Sequence, residues 1–471
     1  MDDFERVRKI IDEQGIEFID LKVVDLIGCW RHLTLPAARF TRELLEEGIG
    51  FDGCNYGYRA VQQSDMLLVP DLTTAKLEDF SGEKLLSLIC KIHRVRGGEH
   101  EPFPQDPRRT ARRAEEYLRK SGVADHCYLS PEFEFYIFDR VDYAYDRNQA
   151  YFHIESNEAP WESSPGGSYL GPQAGYHAPA PVDRSMGLRN AIVSYLEREG
   201  IVVKYHHHEI GGAGEAEIEV GFQELVRAAD DTLFIKYAVR NIAHQHGKSA
   251  TFMPKPLYGY PGNGMHLHQY LIKDGENIFH DPNGYGGMSR LGLYYIGGLL
   301  AHGASLMAFT NPSTNSYRRL VPGFEAPVSF TFGLANRSAA IRIPSYITDP
   351  TRQRLELRTI DATCNPYLAY AAVLMAGLDG IEQEIDPQRA GYGPCEENLY
   401  GLPAERRAEI KFAPKSLPEA LQALEQDHDY LFRGGVFTAE QLDAWLKTKR
   451  EEAAELYDKP HPYEYMLYYD L

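Results

Sequence analysis

Charged and apolar residues alternate along residues 131–139, Pro-Glu-Phe-Glu-Phe-Tyr-Ile-Phe-Asp. A period of two predicts a β-strand whose successive side chains point to opposite faces. Glu132 and Glu134 then share one face, while Phe133, Phe135 and Ile137 share the other. The same rhythm returns in Glu217-Ile218-Glu219, in His266-Leu267-His268 and in Arg354-Leu355-Glu356-Leu357-Arg358. Four such segments predict one sheet with an apolar outer face and an inner face of carboxylate, imidazole and guanidinium.

The flanking pattern supplies the support for that sheet. An amphipathic helix is predicted over 3–14, then strands over 17–24 and 32–35 joined by a turn at Asp25-Leu26-Ile27-Gly28. Further strands at 66–69 and 85–92 make the first hundred residues a small mixed α/β unit, closed by Pro102-Phe103-Pro104. Asp106-Pro107 opens a helix over 107–121, with Asp as N-cap and Pro in the first turn. A Gly/Pro/Ser-rich loop spans 155–181. Helices are predicted over 184–199, 223–246 and 291–309, with a strand over 201–208 and a polar loop over 311–325. Asn365-Pro366 starts an apolar helix to about residue 378, and Thr438 to Gln441 has the spacing of a capping box. The tail, residues 461–469, carries four tyrosines with Met466 and Leu467, too apolar for a free end, so it is expected to dock on another subunit.

Composition narrows the function classes. The chain has 471 residues, enough for two to four domains, and a formal net charge of −19. That charge argues against a nucleic-acid surface or an anionic membrane surface, both of which call for concentrated positive charge. Six cysteines at 29, 54, 90, 127, 364 and 395 have neither disulfide-framework nor zinc-site spacing, which points to a reducing, cytoplasmic setting. No basic segment followed by an apolar run opens the chain, so no signal peptide is expected. The run 291–309 is broken by His302 and by Gly297, Gly298 and Gly303, and reads as a buried helix rather than a membrane span.

Two glycine clusters do not carry nucleotide chemistry. Glu217 stands where a dinucleotide fingerprint beginning at Gly212 needs its third glycine, and Ile242 stands where a phosphate loop ending at Lys248-Ser249 needs its first. The acidic strands are more informative. Adjacent carboxylates on one apolar strand repel one another and resist burial, a conflict that a divalent cation removes. His206-His207-His208-Glu209 ends a predicted strand, and Glu209 lies eight residues before Glu217, so the intervening loop can bring both carboxylates together.

With these segments in hand, the chain resembles the type I glutamine synthetases from end to end. The resemblance runs through residues 131–139, 206–209, 253–256, 264–268, 311–327, 336–344, 354–358, 365–368 and 434–437, all in order. It implies an α+β fold: an N-terminal β-grasp domain (1–103) and a C-terminal catalytic domain (104–471) whose antiparallel sheet is flanked by helices. It also implies a homo-oligomer, a dodecamer of two hexameric rings with active sites between subunits. The implied reaction is ATP-dependent ligation of ammonia to the γ-carboxylate of glutamate through γ-glutamyl phosphate.

Residue by residue, the resemblance places one divalent metal on Glu134, Glu209 and Glu217 and a second on Glu132, His266 and Glu356. Two or three Mg²⁺ or Mn²⁺ ions would be held, with ATP as co-substrate. Arg342, Arg354 and Arg358 match phosphoryl contacts, Arg319 and Arg337 match residues holding the glutamate carboxylates or the transferred phosphoryl, and Gly262 matches a glutamate-side contact. Tyr176 and Phe222 match aromatics near the nucleotide, and His268 a residue touching the transferred group. Asp52, from the neighbouring subunit, and Glu325, on a flap, match the pair that binds ammonium and removes its proton. Tyr400 matches a tyrosine adenylylated in some members.

Three departures lie close to substrate. Phe51-Asp52-Gly53-Cys54-Asn55 ends in Cys-Asn where the family has Ser-Ser. Pro261 takes the position of an asparagine that contacts the substrate α-amino group, with Asn263 two residues on. Tyr270 replaces a nucleotide-contacting serine. These leave two alternatives open beside glutamate–ammonia ligation: a γ-glutamyl ligase for an organic amine, and a catalytically silent homologue. At Tyr400, Gly401 replaces the common following aspartate, which leaves adenylylation open.

Overall fold

A computed structural model describes residues 2–58, 64–161, 169–323, 326–399 and 410–471. The first helix, Asp3–Gln14, begins where the Asp2 side chain accepts the Glu5 N–H and ends at Gly15 in the left-handed region. It presents Val7 and Ile11 to a seven-stranded sheet. There Phe18–Val24 pairs antiparallel with Trp30–Pro36 and parallel with Leu85–Arg96. Leu21, Leu68, Leu88 and Ile92 complete this smaller core.

The second sheet has ten strands. Its main path runs through Val203–His208, Glu215–Val220, His126–Phe138, Leu267–Lys273, Leu355–Leu357, Ile341–Ile343 and Phe332–Leu334. Neighbours along the path are antiparallel except the last two, which are parallel. All four charge-alternating segments thus join one sheet. Phe133, Phe135, Ile218, Leu267 and Leu357 turn outward into the large core, with side chains from helices Leu225–Gln245 and Pro366–Glu382. Burial of their apolar surface holds one face of the sheet fixed. The alternate residues are left facing the other way.

The two halves are tied by close contacts. Gly28 has φ +92, and a Cβ there would lie 2.7 Å from the Asn365 Cα. That approach lets the Asn365 amide donate to the Asp25 and Leu26 carbonyls while its oxygen caps the helix Pro366–Glu382 at Tyr367 N. Arg108, on helix Pro107–Ser121, donates to Asp71 from the N-terminal half and with two nitrogens to Asp230, each contact at 2.8 Å.

Several elements differ from the reading of the sequence. The expected helix over 291–309 is two helices, Arg290–Ala301 and Gly303–Thr310, meeting at 75°. His302 at the bend pairs with Asp379 and Asp427, and a Cβ at Gly303 would strike the Phe330 ring at 2.7 Å. Among the described residues no single helix is long and apolar enough to cross a membrane, and the residues of the bent pair are mostly buried in the core. A hairpin of Arg140–Asp146 and Gln149–Glu155, and the short strand Ile49–Asp52, were not predicted. The tail forms a helix, Pro462–Tyr468, with Tyr463, Tyr465, Met466 and Leu467 exposed.

Candidate active site

Register in the large sheet places the acidic side chains. Glu134 lies opposite Glu217, and Glu217 opposite His207; Glu132 lies opposite Glu219. On the other side of the same strand, the His266 carbonyl accepts the Glu132 N–H at 2.9 Å. His268 lies opposite Glu356, and Glu356 opposite Arg342. Residues far apart in the chain therefore meet because antiparallel pairing keeps equal faces together.

Their side chains are in contact. His266 Nδ1 is 3.1 Å from Glu132 Oε2 and 3.7 Å from Glu356 Oε1, and its Nε2 is 3.7 Å from Glu134 Oε1. His268 Nε2 is 2.7 Å from Glu132 Oε1. Arg358 reaches Glu356 Oε1 at 2.5 Å, and Arg342 pairs with the other oxygen. Across the sheet, His207 is 3.4 Å from Glu209 and 3.7 Å from Glu217. Glu132, Glu134, His207, Glu209, Glu217 and His266 all line a cavity of about 680 Å³, faced also by Arg319, Arg337, Arg342 and Arg358.

Glycine permits this crowding. A Cβ at Gly264 would lie 2.5 Å from Arg319 Nη2 and 2.9 Å from His266 Nε2, and one at Gly262 only 2.2 Å from the Pro254 carbonyl. Arg319 passes behind the loop and donates to the carbonyls of Thr359 at 2.8 Å and Arg358 at 3.1 Å. The Gly264 N–H donates to Glu134.

Charge is unevenly answered across the site. Burial would raise the Glu356 carboxyl, but the Arg358 and Arg342 guanidiniums hold it low. Burial works against Glu132 as well, yet His268 and His266 keep it well below the usual range. Glu217 has the opposite fate: burial, then Glu132, Glu209 and Glu134, push its carboxyl well up. A cation among these oxygens would relieve that repulsion. Two compact donor groups meet the need, Glu132 with His268 and Glu356, and His207 with Glu209 and Glu217, each with its donor atoms within 4.8 Å. Hard oxygens with a single imidazole suit Mg²⁺ or Mn²⁺, so the residues present fit a divalent ion.

The compact groups differ from those expected. His207 stands with Glu209 and Glu217, where Glu134 was expected; His268 stands with Glu132 and Glu356, where His266 was expected. His266 bridges instead, touching Glu132, Glu134 and Glu356. From the sequence His207 was weighed only as part of the run His206-His207-His208-Glu209, although its spacing of two from Glu209 was available as a signal. Arg337 and Tyr176 line the cavity, and the Tyr176 ring lies 5.4 Å from that of His207 in an edge contact. Phe222 lies to one side, 4.8 Å from the Tyr270 ring and 5.6 Å from the Arg354 guanidinium.

Asp52 is not brought to this cavity. It ends the strand Ile49–Asp52, where its carboxylate accepts from Cys54 N and Asn55 Nδ2, each at 2.9 Å. Hydrogen bonds from Cys54 hold its pKa below the ordinary value. Glu325 and Tyr400 lie outside the described residues.

Comparison with known proteins identifies the family. The family model described as glutamine synthetase, catalytic domain, matches residues 104–468, and the one described as glutamine synthetase, beta-Grasp domain, matches residues 15–95. The chain belongs to the glutamine synthetase family. It is 45% identical over 470 residues to the glutamine synthetase of Aquifex aeolicus, covering 99% of each chain. To that of Mycolicibacterium smegmatis it is 43% identical over 474 residues, covering 98% of each. The Plasmodium falciparum glutamine synthetase structure superposes with a TM-score of 0.88 at 26% identity, covering 100% of this chain and 99% of that one. Ligand-free GmaS superposes at 0.80 with 29% identity, covering 99% of each. The glutamine synthetase fold, β-grasp followed by catalytic sheet, is therefore the setting of the cavity.

Proposed function

We propose that the protein is a glutamate–ammonia ligase that makes glutamine from glutamate, ammonia and ATP through γ-glutamyl phosphate. The observation that carries this reading is the meeting of Glu132, Glu134, His207, Glu209, Glu217 and His266 with Arg337, Arg342 and Arg358 around one cavity, with His268 and Glu356 buried behind Glu132 and Arg358. A carboxylate attacking a polyanion needs charge neutralised on both reactants. Divalent ions held by Glu132, Glu134, Glu209, Glu217, His266 and Glu356, with His207 and His268 beside them, would supply Lewis-acid neutralisation of phosphate charge.

The chain's own groups do the rest. Arg342, Arg354 and Arg358 orient phosphoryl oxygens, with planar guanidiniums suited to that task. Arg319 and Arg337 fix the substrate carboxylates at the Gly262 end. Phe222 and Tyr176 flank the nucleotide. Asp52, whose pKa the hydrogen bonds from Cys54 lower, attracts ammonium and with Glu325 accepts its proton before attack. Because Asp52 lies away from the cavity of its own chain, this reading requires a second subunit, and the exposed apolar helix Pro462–Tyr468 supports assembly into rings, twelve copies in all. Six free cysteines support a cytoplasmic setting.

A γ-glutamyl ligase for an organic amine is the second reading, favoured by Pro261, Cys54 and Asn55. Phosphate release with ATP and glutamate, run across ammonium and a panel of primary amines, separates them. Ammonium as the preferred amine is expected. Turnover with an amine but not with ammonium sinks the leading reading.

A further inference from the structure

Tyr346 stands in the loop between strands Ile341–Ile343 and Leu355–Leu357, and this residue, 59% exposed, lines the large cavity. Two buried arginines meet on its ring. The ring centroid lies 5.7 Å from the Arg342 guanidinium carbon and 5.8 Å from that of Arg354. Arg354 Nη2 also donates to the Tyr346 hydroxyl, over a long 3.4 Å. The two arginines are placed differently. Arg342 lines the cavity and pairs with Glu356, whereas Arg354 is outside the lining, 5.6 Å from the Phe222 ring. Tyr346 thus joins the cavity to the aromatic group at its side. Arg342 Nε and Arg354 Nε are both buried, and neither has a hydrogen-bond partner among the described residues. An aromatic face answers a guanidinium's charge and leaves its N–H groups unspent.

We infer that Tyr346 is a positioning residue, whose ring holds Arg342 and Arg354 together as one clamp for the polyphosphate of the nucleotide. The inference rests on the ligase reading, in which both arginines meet phosphoryl oxygens. Two like charges on long side chains repel, and each side chain loses rotamer freedom when it grips an anion. A ring in contact with both offsets the repulsion and fixes them beforehand, so binding has less ordering left to impose. The hydroxyl contact is at the limit of a hydrogen bond, while both guanidiniums lie within cation–π range. The ring therefore carries the effect, and it acts through the arginines rather than on the nucleotide.

The test titrates wild type, Tyr346→Phe and Tyr346→Ala calorimetrically with a non-hydrolysable ATP analogue and, separately, with adenosine, Mg²⁺ being present throughout. The side chain is exposed, so both variants are expected to melt with wild type. Tyr346→Ala should weaken the analogue at least about fivefold, the scale of one cation–π contact. Adenosine, which has no phosphate for the arginines, should change by less than about twofold, and Tyr346→Phe should bind both ligands within about twofold of wild type. Three results would each overturn the inference alone: an unchanged analogue affinity in Tyr346→Ala, a loss in Tyr346→Phe as large as in Tyr346→Ala, or an equal loss for adenosine. The second would make the hydroxyl the acting group, and the third would make the ring a surface for the base. Wild type that binds no analogue would overturn the ligase reading and the inference together. Phosphate release by wild type with ATP, glutamate and ammonium reports separately on the ligase reading.

Discussion

Two buried charge clusters in this protein behave in opposite ways. Around Arg108 every charge is answered: two nitrogens go to Asp230, one to Asp71, and the Tyr367 hydroxyl adds a bond to Asp230 at 2.6 Å. Opposed to burial, these partners raise the Arg108 pKa and lower that of Asp71. On the inner face of the large sheet, Glu217 faces Glu132, Glu209 and Glu134, and its pKa goes up. Buried charges are tolerated when paired and hydrogen-bonded, and otherwise demand a counter-ion. The first cluster is complete within the chain and serves the fold; the second is incomplete, and on the ligase reading divalent ions complete it.

The strongest way to sharpen the contrast is Glu356→Ala. It removes a donor from the Glu132–His268–Glu356 group and frees Arg342 and Arg358 from their shared carboxylate. Phosphate release is expected to fall by at least about 10³-fold, roughly 4 kcal/mol of barrier. The variant should keep its circular dichroism and elution volume, since both arginines can turn to the cavity. Near-normal turnover would break the assignment of this face to chemistry.

At Arg108 the expectation reverses. Arg108→Met leaves Asp71 and Asp230 buried with a partner lost, which costs roughly 3–5 kcal/mol in comparable cases. The urea midpoint should drop accordingly, and divalent ions should not restore it. A midpoint within error of wild type would mean that Arg112, which also pairs with Asp71, carries the junction.

How much of this was legible beforehand follows from the same contrast. Alternation along 131–139, 217–219, 266–268 and 354–358 is a local signal, and it foretold one sheet with a polar inner face. Caps at Asp106, Asn365 and Thr438 are local too, and each holds as a helix start. Long-range facts were not legible. The bend at His302 depends on Asp379 and Asp427, and the placement of His207 beside Glu217 depends on strand register. The roles of Asp52, Glu325 and Tyr400 come from the resemblance alone.

His302 offers a smaller effect of known sign. Its Nε2 is 3.0 Å from Asp379 and its Nδ1 2.9 Å from Asp427. Against burial, these partners raise its pKa to about 9. A raised folded pKa means protonation favours the folded state. The contribution is therefore fully present below the unfolded value near 6.5 and lost as pH rises through about 9. It amounts to at most about 3 kcal/mol. Wild-type stability minus that of His302→Gln, measured by denaturant titration from pH 6 to 9.5, should shrink over that window. A flat difference would place His302 among the packing residues only.

The smallest effect is the most telling, because its sign differs between the clusters. Glu217→Gln keeps the side-chain shape and removes a charge that Glu132, Glu209 and Glu134 repel. Without divalent ions the variant should be more stable than wild type by about 1 kcal/mol, since relieving buried like charges is favourable. With Mn²⁺ or Mg²⁺ the order should invert: wild type gains about 2.7 kcal/mol at a hundred times the dissociation constant, and the variant gains less. Thermal melts with chelator and with added metal would reveal the crossing. If Glu217→Gln instead destabilised the chelated protein, as Arg108→Met does, the acidic face would be a second structural pairing and the distinction drawn between the two clusters would fail.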